Sequence, residues 1–431
     1  MAAVTGPVID LGELRHEPEQ APLPRPPRAR DRPLRCALAL LLVLATMAAG
    51  APPARRSVVT LPARLGTDAL VAGDLFLVID PISPQARQRR LVAFRLPGGE
   101  PAWQVPLPMD GRFWGISQQG GMLLVTGHQA TPGGGGTLTV ALDQATGAYR
   151  WQQPGSATEL ADGSLLLESV DGDEPGSLRA VDPCCGTVRW QLRTAPGEIS
   201  YHQTGRGVDR VVLSRTDGWT EIRDATTGAV LVRRDLRAAH ARAFGTVQVV
   251  GDLLLAVGGV PATITAYGLD RLDRRWSTGA DGLLYASDCG SVVCFQNGAG
   301  GLRAVEPGTG RLRWTSDRWV AVWPLAGRLV ASTLSNAGPG VEQLAVLDPA
   351  SGRVLAELGR WELARFASEE PVVVVRRHPD GGLLVAELDI RAGAVRMLDV
   401  LPDAAGECQS GHGRLLCRRF DGSYGLWTLN R

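Results

Sequence analysis

Residues 302–314 read LRAVEPGTGRLRW, and residues 178–190 read LRAVDPCCGTVRW. Both copies place an apolar run before an acidic residue, then a tight turn that contains Pro and Gly, then a second short run that ends in Trp. The acidic side chain of such a turn accepts hydrogen bonds from backbone amides, and Gly supplies the positive φ angle that the turn needs. The pattern predicts a strand–turn–strand unit that the chain uses more than once.

The same unit recurs along most of the chain. Six further segments align with the first two, at residues 91–103, 138–151, 220–232, 264–276, 344–356 and 385–397. The last positions of the eight copies lie 38 to 48 residues apart. That period is typical of a propeller blade of four strands.

Another short apolar run precedes each copy, as in GDLLLAV (251–257) and PVVVVRR (371–377). Asp-Gly pairs, which favour tight turns, separate these runs at residues 162–163, 281–282, 380–381 and 421–422. No amphipathic stretch of helix length stands out after Ala51. The chain is therefore predicted to be all-β beyond its N-terminal segment.

The repeat resembles that of the PQQ-like (pyrroloquinoline-quinone-type) β-propeller family, whose signature is roughly A-x-D-x-x-T-G-x-x-x-W. The best copies are ALDQATGAYRW (141–151) and AVEPGTGRLRW (304–314). The resemblance covers nearly all of the chain beyond the N-terminal apolar segment. It implies a propeller similar both to quinoprotein dehydrogenases and to the non-enzymatic BamB-like propellers.

We expect eight blades from the family resemblance, with seven or nine as alternatives. Counting each upstream strand with its partner gives nine pairs, the ninth at residues 414–430 without the turn-and-Trp half. Residues 57–62, SVVTLP, can supply the missing edge, because joining the two ends of the chain in one sheet closes the ring.

The N-terminal segment carries an export signal. Residues 1–35 are rich in Pro, Arg and acidic residues, which predicts a disordered cytoplasmic tail. Residues 36–52 are uncharged and predict a transmembrane signal anchor, with more Arg before the segment than after it. Residues 53–431 are then an extracytoplasmic propeller. The alternative is a cleaved signal peptide, since Ala49-Gly50-Ala51 resembles a cleavage site.

The overall charge excludes one class of partner. The chain has 45 Lys and Arg against 44 Asp and Glu, a net charge of +1. Such a balance produces no field that would attract nucleic acid, so a nucleic-acid partner is not expected.

Five tryptophans share one slot of the repeat: Trp103, Trp151, Trp190, Trp276 and Trp314. A residue present once per blade needs an explanation that applies once per blade, and packing between adjacent blades is one. Similar Trp residues of the family dock one blade onto the next. The five are therefore predicted to be structural.

Six of the seven cysteines follow the apolar segment, an even number that favours disulfides in an oxidising compartment. We expect Cys289 to pair with Cys294, and Cys408 with Cys417, because each pair brackets a short turn. Cys184 and Cys185 replace two turn residues of the repeat. A vicinal disulfide that only rigidifies this turn is favoured over one that contacts a cofactor.

No motif for catalysis is present. The six histidines show neither His-x-His nor His-Glu-x-x-His spacing, and no Cys-x-x-Cys, nucleophile elbow or phosphate loop occurs. A quinoprotein would need a catalytic Asp and a calcium site of Glu and Asn near the axis, and neither can be matched residue by residue. No cofactor is therefore expected.

The sequence favours a membrane-anchored, non-enzymatic scaffold outside the cytoplasm that binds a protein or another ligand of the cell envelope. The alternative is a dehydrogenase that depends on PQQ and calcium.

Overall fold

The computed structural model describes residues 37, 40–41, 58–64, 67–81, 88–109, 111–131, 134–169, 176–236, 244–280, 282–298, 300–333, 341–366, 372–379, 381–411 and 413–429. The chain divides into two compact units, Met1–Arg55 and Arg56–Arg431. The predicted tail (1–35) and nearly all of the predicted anchor (36–52) lie outside the described residues. Where the structure describes the chain, it contains no helix with the length and apolar character needed to span a membrane.

The second unit is built from antiparallel meanders of four strands, which we call blades. Strand β1 (Val59–Leu61) belongs to the last of them. The first three blades are β2 (Ala69–Ala72), β3 (Leu75–Pro81), β4 (Arg89–Arg95) and β5 (Pro101–Pro106); β6 (Gly111–Gln119), β7 (Met122–Thr131), β8 (Gly134–Asp143) and β9 (Tyr149–Pro154); and β10 (Ser156–Glu159), β11 (Leu165–Ser169), β12 (Ser177–Val181) and β13 (Val188–Arg193).

Blades 4 to 6 follow the same plan. They are β14 (Gly197–Thr204), β15 (Gly207–Arg215), β16 (Trp219–Asp224) and β17 (Val230–Asp235); β18 (Phe244–Val250), β19 (Leu253–Gly258), β20 (Thr263–Gly268) and β21 (Arg274–Gly279); and β22 (Leu283–Asp288), β23 (Val293–Asn297), β24 (Leu302–Val305) and β25 (Leu312–Ser316).

Blades 7 and 8 share a strand. Blade 7 is β26 (Ala321–Leu325), β27 (Arg328–Ser332), β28 (Glu342–Leu347) and the first part of β29 (Val354–Leu363). The end of β29 then pairs with β31 (Val372–Arg377), which continues into β32 (Leu383–Asp389) and β33 (Ala394–Leu401) as blade 8. The two blades therefore form one sheet of seven strands.

Blade 9 joins the two ends of the second unit. It consists of β34 (Ala404–Gly411), β35 (Arg414–Arg419), β36 (Tyr424–Thr428) and β1, with β1 as its outermost strand. The short β30 (Arg365–Phe366) pairs in parallel with β34. The predicted role of residues 57–62 as the closing edge agrees with this pairing, in which Val59, Thr60 and Leu61 face Leu426, Gly425 and Tyr424.

The clusters of buried apolar side chains give an independent measure of the number of blades. Over the described residues they form nine clusters, and each cluster joins two consecutive blades. The ninth cluster brings Leu61 and Leu416 of blade 9 against Phe76 of blade 1 and closes the ring. The described part of the chain is thus a β-propeller of nine four-stranded meanders, and the preferred count of eight is not supported.

The second strand of each blade is buried on both faces. In β7, Leu123 and Val125 pack toward blade 1, whereas Leu124 packs toward blade 3. Alternate side chains of a strand point to opposite faces, and here both faces meet another blade. This burial explains why these strands are continuous apolar runs and not alternating ones.

The first strand of a blade has a free backbone edge, and side chains of neighbouring blades bond it. Gln248 of β18 donates to the carbonyl oxygen of Ala286 in β22 and accepts from its amide at 3.1 Å. Gln409 of β34 donates to the Ala69 carbonyl oxygen in β2 at 2.7 Å. These carboxamides replace the missing strand partner, because a buried backbone group without a hydrogen bond is costly.

Candidate functional site

The five repeat tryptophans all contact the blade that follows their own. Each indole N–H donates to a carbonyl oxygen in the turn between the third and fourth strands of that blade. The acceptors are Gln144 for Trp103 (3.1 Å), Pro183 for Trp151 (2.7 Å), Ala225 and Thr226 for Trp190 (3.1 and 3.0 Å), Pro307 for Trp276 (2.7 Å) and Pro349 for Trp314 (2.9 Å).

A glycine in the same turn makes room for each indole. Gly310 has φ +68°, and a Cβ there would lie 2.6 Å from the ring of Trp276. The same holds for Gly147, Gly186, Gly228 and Gly352 against the other four tryptophans. These contacts explain why Trp and Gly occur together in the repeat, and they leave the five indoles facing protein.

Blade 5 departs from this pairing in a complementary way. Its turn has Leu272 where the other blades have Gly, at φ 51° and 0% exposed. The preceding blade has Val232 in the Trp slot, and the two side chains pack in one cluster. In the five Trp pairs the large residue (Trp) is in the strand and the small one (Gly) in the turn, whereas here the larger residue, Leu272, is in the turn.

We expect Leu272→Gly to lower the free energy of unfolding by about 1–3 kcal/mol, because the lost burial outweighs the relief of the positive φ angle. Val232→Trp alone should also destabilise, since the ring would overlap Leu272. The double variant should lose at least about 1 kcal/mol less than the two single losses added together. Urea unfolding of the four proteins checks this cycle, and simple additivity would contradict the complementarity.

The cysteines are joined as Cys184–Cys185, Cys289–Cys294 and Cys408–Cys417. The second pair closes the turn between β22 and β23, and the third crosses from β34 to β35 with Cα atoms 4.1 Å apart. Both pairs lie in apolar clusters between blades, at most 3% exposed. Cys184 and Cys185 are exposed, in the turn between β12 and β13.

The repeat carboxylates hold their own turns. Asp143 accepts hydrogen bonds from the Thr146 hydroxyl at 2.8 Å and amide at 3.0 Å, and it pairs with Arg150 at 2.7 Å. The hydrogen bond from Arg150, with those from Thr146, lowers the pKa of Asp143 to about 2. Asp224, Asp348 and Asp389 likewise accept from amides of their turns. The carboxylates of these repeats therefore hold the turns in place.

One face of the second unit carries a cavity, which we call the turn-face groove. In every blade the turns after the first and third strands lie on the same face, since the strands run alternately up and down. The groove has a volume of about 580 Å³ and is lined by such turns of blades 5 and 6, including residues 250–253 and 268–270, and by Arg210 of blade 4. Glycines and Pro307 contribute part of the wall.

The groove carries charges of both signs. Arg210 pairs with Asp270 at 3.0 Å, and Asp288 accepts from the Gly290 amide of its own turn at 2.7 Å. Asp252 is highly exposed, with 93% of its side chain accessible. It lies 3.6 Å from Nε2 of His202, whose Nδ1 is 2.5 Å from Asp209. The rim therefore offers carboxylates that are in contact with solvent.

One further titratable group is strongly perturbed, and its surroundings explain it. The Tyr201 hydroxyl of blade 4 donates to Glu168 of blade 3. Burial, together with this hydrogen bond, raises the pKa of Tyr201 far above its usual value. The hydroxyl stays protonated as a hydrogen-bond donor between blades 3 and 4.

The repeats match one known family. A family model described as outer membrane protein assembly factor BamB matches residues 87–278 and 174–317, which together span more than half of the 431 residues. The chain belongs to this BamB family. No curated protein matches the chain over its sequence.

Several solved structures are similar to this BamB-family chain. BamB from Moraxella catarrhalis shares 16% identity, with 86% of this chain and 98% of that chain covered and a TM-score of 0.42. The computationally designed Ika8 protein shares 16% identity over 74% of this chain and 96% of its own, with a TM-score of 0.43. Sqt1 from Saccharomyces cerevisiae shares 10% identity, with 75% and 97% covered and a TM-score of 0.45.

The groove does not fit the calcium ion that the quinoprotein alternative requires. Calcium takes six to eight oxygen ligands, with carboxylates prominent among them. Within the described ranges, no three or more His, Cys, Asp or Glu side chains are placed to hold a metal ion. Asp252 and Asp270 lie in two different turns of blade 5 and Asp288 lies in blade 6, and Asp270 and Asp288 already have partners.

Sequence reasoning found the turns and tryptophans but missed the groove. Arg210, Asp252 and Asp270 lie in turns or at a strand start, and each resembles an ordinary repeat residue. The groove exists only because blades 4, 5 and 6 stand side by side. No local motif encodes that juxtaposition.

Proposed function

We propose that this BamB-family propeller is a non-enzymatic scaffold that binds a protein of the cell envelope, and that the turn-face groove holds an extended segment of that partner. The observation that carries the proposal is the groove, about 580 Å³ in volume and lined by turns of neighbouring blades, with exposed carboxylates at its rim. The description of the family as an assembly factor of the outer membrane supports an envelope protein as the partner.

The charges of the groove favour a segment with basic side chains. Asp252 and Asp270 have 93% and 77% of their side chains exposed. Rim carboxylates of this kind steer a cationic partner toward the groove and set its orientation. Backbone amides and carbonyls of the turns then bond the extended segment.

Reversing both rim charges, as Asp252→Arg with Asp270→Arg, should weaken capture of the partner roughly ten-fold and reduce its dependence on salt. Envelope extracts passed over the immobilised full chain, with captured proteins quantified by mass spectrometry, measure this. The matched control is Asp74→Arg with Glu100→Arg, in the turns of blade 1, where Gly73-Asp74 is the counterpart of Gly251-Asp252.

A protein retained by the wild type and by the control, but depleted by the groove variant, is the expected outcome. Equal capture by all three proteins would remove the groove from the proposal. Capture of nothing above the bare-matrix level would overturn the proposed scaffold function itself.

Calorimetry of PQQ with calcium should show no heat of binding. Tight stoichiometric binding would overturn the proposal that the protein is non-enzymatic.

We also propose that the propeller lies outside the cytoplasm and is attached to the membrane by an N-terminal anchor at residues 36–52. The support is the uncharged segment, the Arg residues before it and the even number of cysteines after it. Protease added to intact cells or spheroplasts should digest the propeller while a membrane fraction retains the N-terminal residues. Protection of the propeller until the membrane is lysed would contradict this location.

A further inference from the structure

The turn at residues 182–187 lacks a hydrogen bond that its counterparts have. In three other blades a Thr hydroxyl, three residues after the turn carboxylate, donates to that carboxylate at 2.8 Å. The pairs are Thr146 with Asp143, Thr227 with Asp224, and Thr309 with Glu306. Cys185 occupies this position after Asp182, whose carboxylate accepts from Arg189 at 2.6 Å, just as Asp143 accepts from Arg150 and Glu306 from Arg313.

The bond between Cys184 and Cys185 takes the place of that hydroxyl clamp. Aligning DPCCG (182–186) with EPGTG (306–310) shows that the two cysteines replace Gly308 and Thr309. The turn keeps its backbone hydrogen bonds, such as Gly186 N–H to the Asp182 carbonyl at 2.8 Å. The covalent link is the extra restraint in this blade, whereas blades 2, 4 and 6 use a side-chain hydrogen bond.

The turn is also where blade 2 meets blade 3. Trp151 donates to the Pro183 carbonyl at 2.7 Å, and its ring lies against Gly186, where a Cβ would be 2.9 Å away. The side-chain amide of Gln153 donates to the Gly186 carbonyl at 2.5 Å. Two side chains of blade 2 therefore bond the residues on either side of the cysteine pair.

Exposure separates this disulfide from the other two. Cys184 and Cys185 are both exposed, on the outer half of the blade. The four remaining paired cysteines are at most 3% exposed and lie inside apolar clusters. A thiolate must reach a sulfur atom to attack it, so the folded protein offers the sulfurs of the vicinal pair alone among its three disulfides.

We propose that Cys184–Cys185 is a thiol–disulfide exchange site whose substrate is a dithiol, and that its redox state sets the rigidity of the turn that receives Trp151. One thiolate of the dithiol attacks a cysteine sulfur, forms a mixed disulfide and releases the other cysteine as a thiolate, which takes up a proton. The second thiol of the dithiol then attacks the mixed disulfide and releases the first cysteine. The dithiol becomes a cyclic disulfide, and both cysteines become thiols.

Reduction leaves this turn without either restraint. The thiol of Cys185 is a weak donor and does not replace the hydroxyl that clamps the other turns. The amides of residues 185–187 then open more often, and the carbonyls that accept from Trp151 and Gln153 move with them. The turn is thus more mobile in the reduced protein than in the oxidised one.

The first measurement uses the folded full chain with dithiothreitol, followed by alkylation and tryptic digestion. The peptide of residues 180–189 carries both cysteines of the pair. We expect it to be alkylated at both positions at least roughly ten-fold faster than the peptides with Cys289, Cys294, Cys408 and Cys417, whose exposure requires local unfolding. Alkylation of all three pairs at the same rate would overturn the exchange site.

The second measurement is hydrogen–deuterium exchange of the same turn, before and after reduction. The wild type should exchange the amides of residues 185–187 several-fold faster when reduced. The control is Cys184→Gly with Cys185→Thr, which copies the EPGTG turn at residues 306–310 and should respond to dithiothreitol with no change. Equal exchange in the oxidised and reduced wild type would overturn the link between redox state and turn rigidity.

Discussion

Arg418→Ala should lower the free energy of unfolding by about 3–5 kcal/mol, because it removes the side chain that holds the N-terminal segment to the last blade. Arg418 is only 4% exposed. Its guanidinium donates to the carbonyl oxygens of Arg64, Thr67 and Gly422 at 2.9–3.0 Å, to the Tyr424 hydroxyl at 2.9 Å and to the Glu407 carboxylate at 2.6 Å. Alanine would remove all five hydrogen bonds, three of which are buried.

The effect should concentrate where the ring closes. Arg64 and Thr67 follow β1, the outermost strand of blade 9, so the loss of Arg418 frees the segment that closes the sheet. Hydrogen exchange in Val59–Leu61 should accelerate by at least ten-fold, roughly the factor expected when a local closing interaction of more than about 1.4 kcal/mol is lost. Urea unfolding gives the global figure.

Arg419→Ala is the matched control. Arg419 is adjacent on β35, bonds Thr60 of the same N-terminal strand at 2.9 Å and pairs with Asp403 at 3.7 Å, but these contacts are exposed. Partners in contact with water contribute little, so the loss should stay below about 1 kcal/mol. Equal effects of the two substitutions would show that ring closure does not depend on the buried guanidinium.

The contrast between these two arginines shows where sequence reasoning stops. Both follow an apolar run in GRLLCRRF, and residue type gives no reason to separate them. Alternation along a strand predicts opposite faces, but only the placement of Arg64 and Thr67 shows which face is covered. The strand pattern was local and could be predicted, whereas the partner is more than 350 residues away in the sequence.

The repeats could be predicted because each is local in sequence, whereas the groove could not because it depends on several blades together. Each strand–turn–strand unit is encoded within 13 or 14 residues, so the sequence alone predicts the meanders, the closing strand and the cysteine pairs. The number of blades was less secure, because counting strand pairs in the sequence gives nine whereas the family resemblance favoured eight. In the structure the end of β29 (Val354–Leu363) passes from blade 7 into blade 8, where it pairs with β31. The groove depends on three blades at once.

Trp276→Ala should cost about 3–5 kcal/mol, the range for removing a large aromatic side chain from a core. Trp276 is 6% exposed, packs with residues of blades 5 and 6, and donates to the Pro307 carbonyl at 2.7 Å. The substitution removes both the apolar contact and the donor at one junction. Trp114→Ala is the control, since Trp114 is 52% exposed, and it should cost no more than about 1 kcal/mol.

A second substitution at the same junction tests the contact itself. Gly310→Ala in the wild type should be strongly destabilising, because the new Cβ would lie 2.6 Å from the Trp276 ring and φ is +68°. In the Trp276→Ala background the ring is gone, and the same change should cost only the roughly 1 kcal/mol of the unfavourable φ angle. The two losses should therefore be less than additive in urea unfolding, as expected for residues in contact. Additive losses in the free energy of unfolding would mean that Gly310 is required only by the conformation of its turn. The contact between Trp and Gly would then not be what joins adjacent blades.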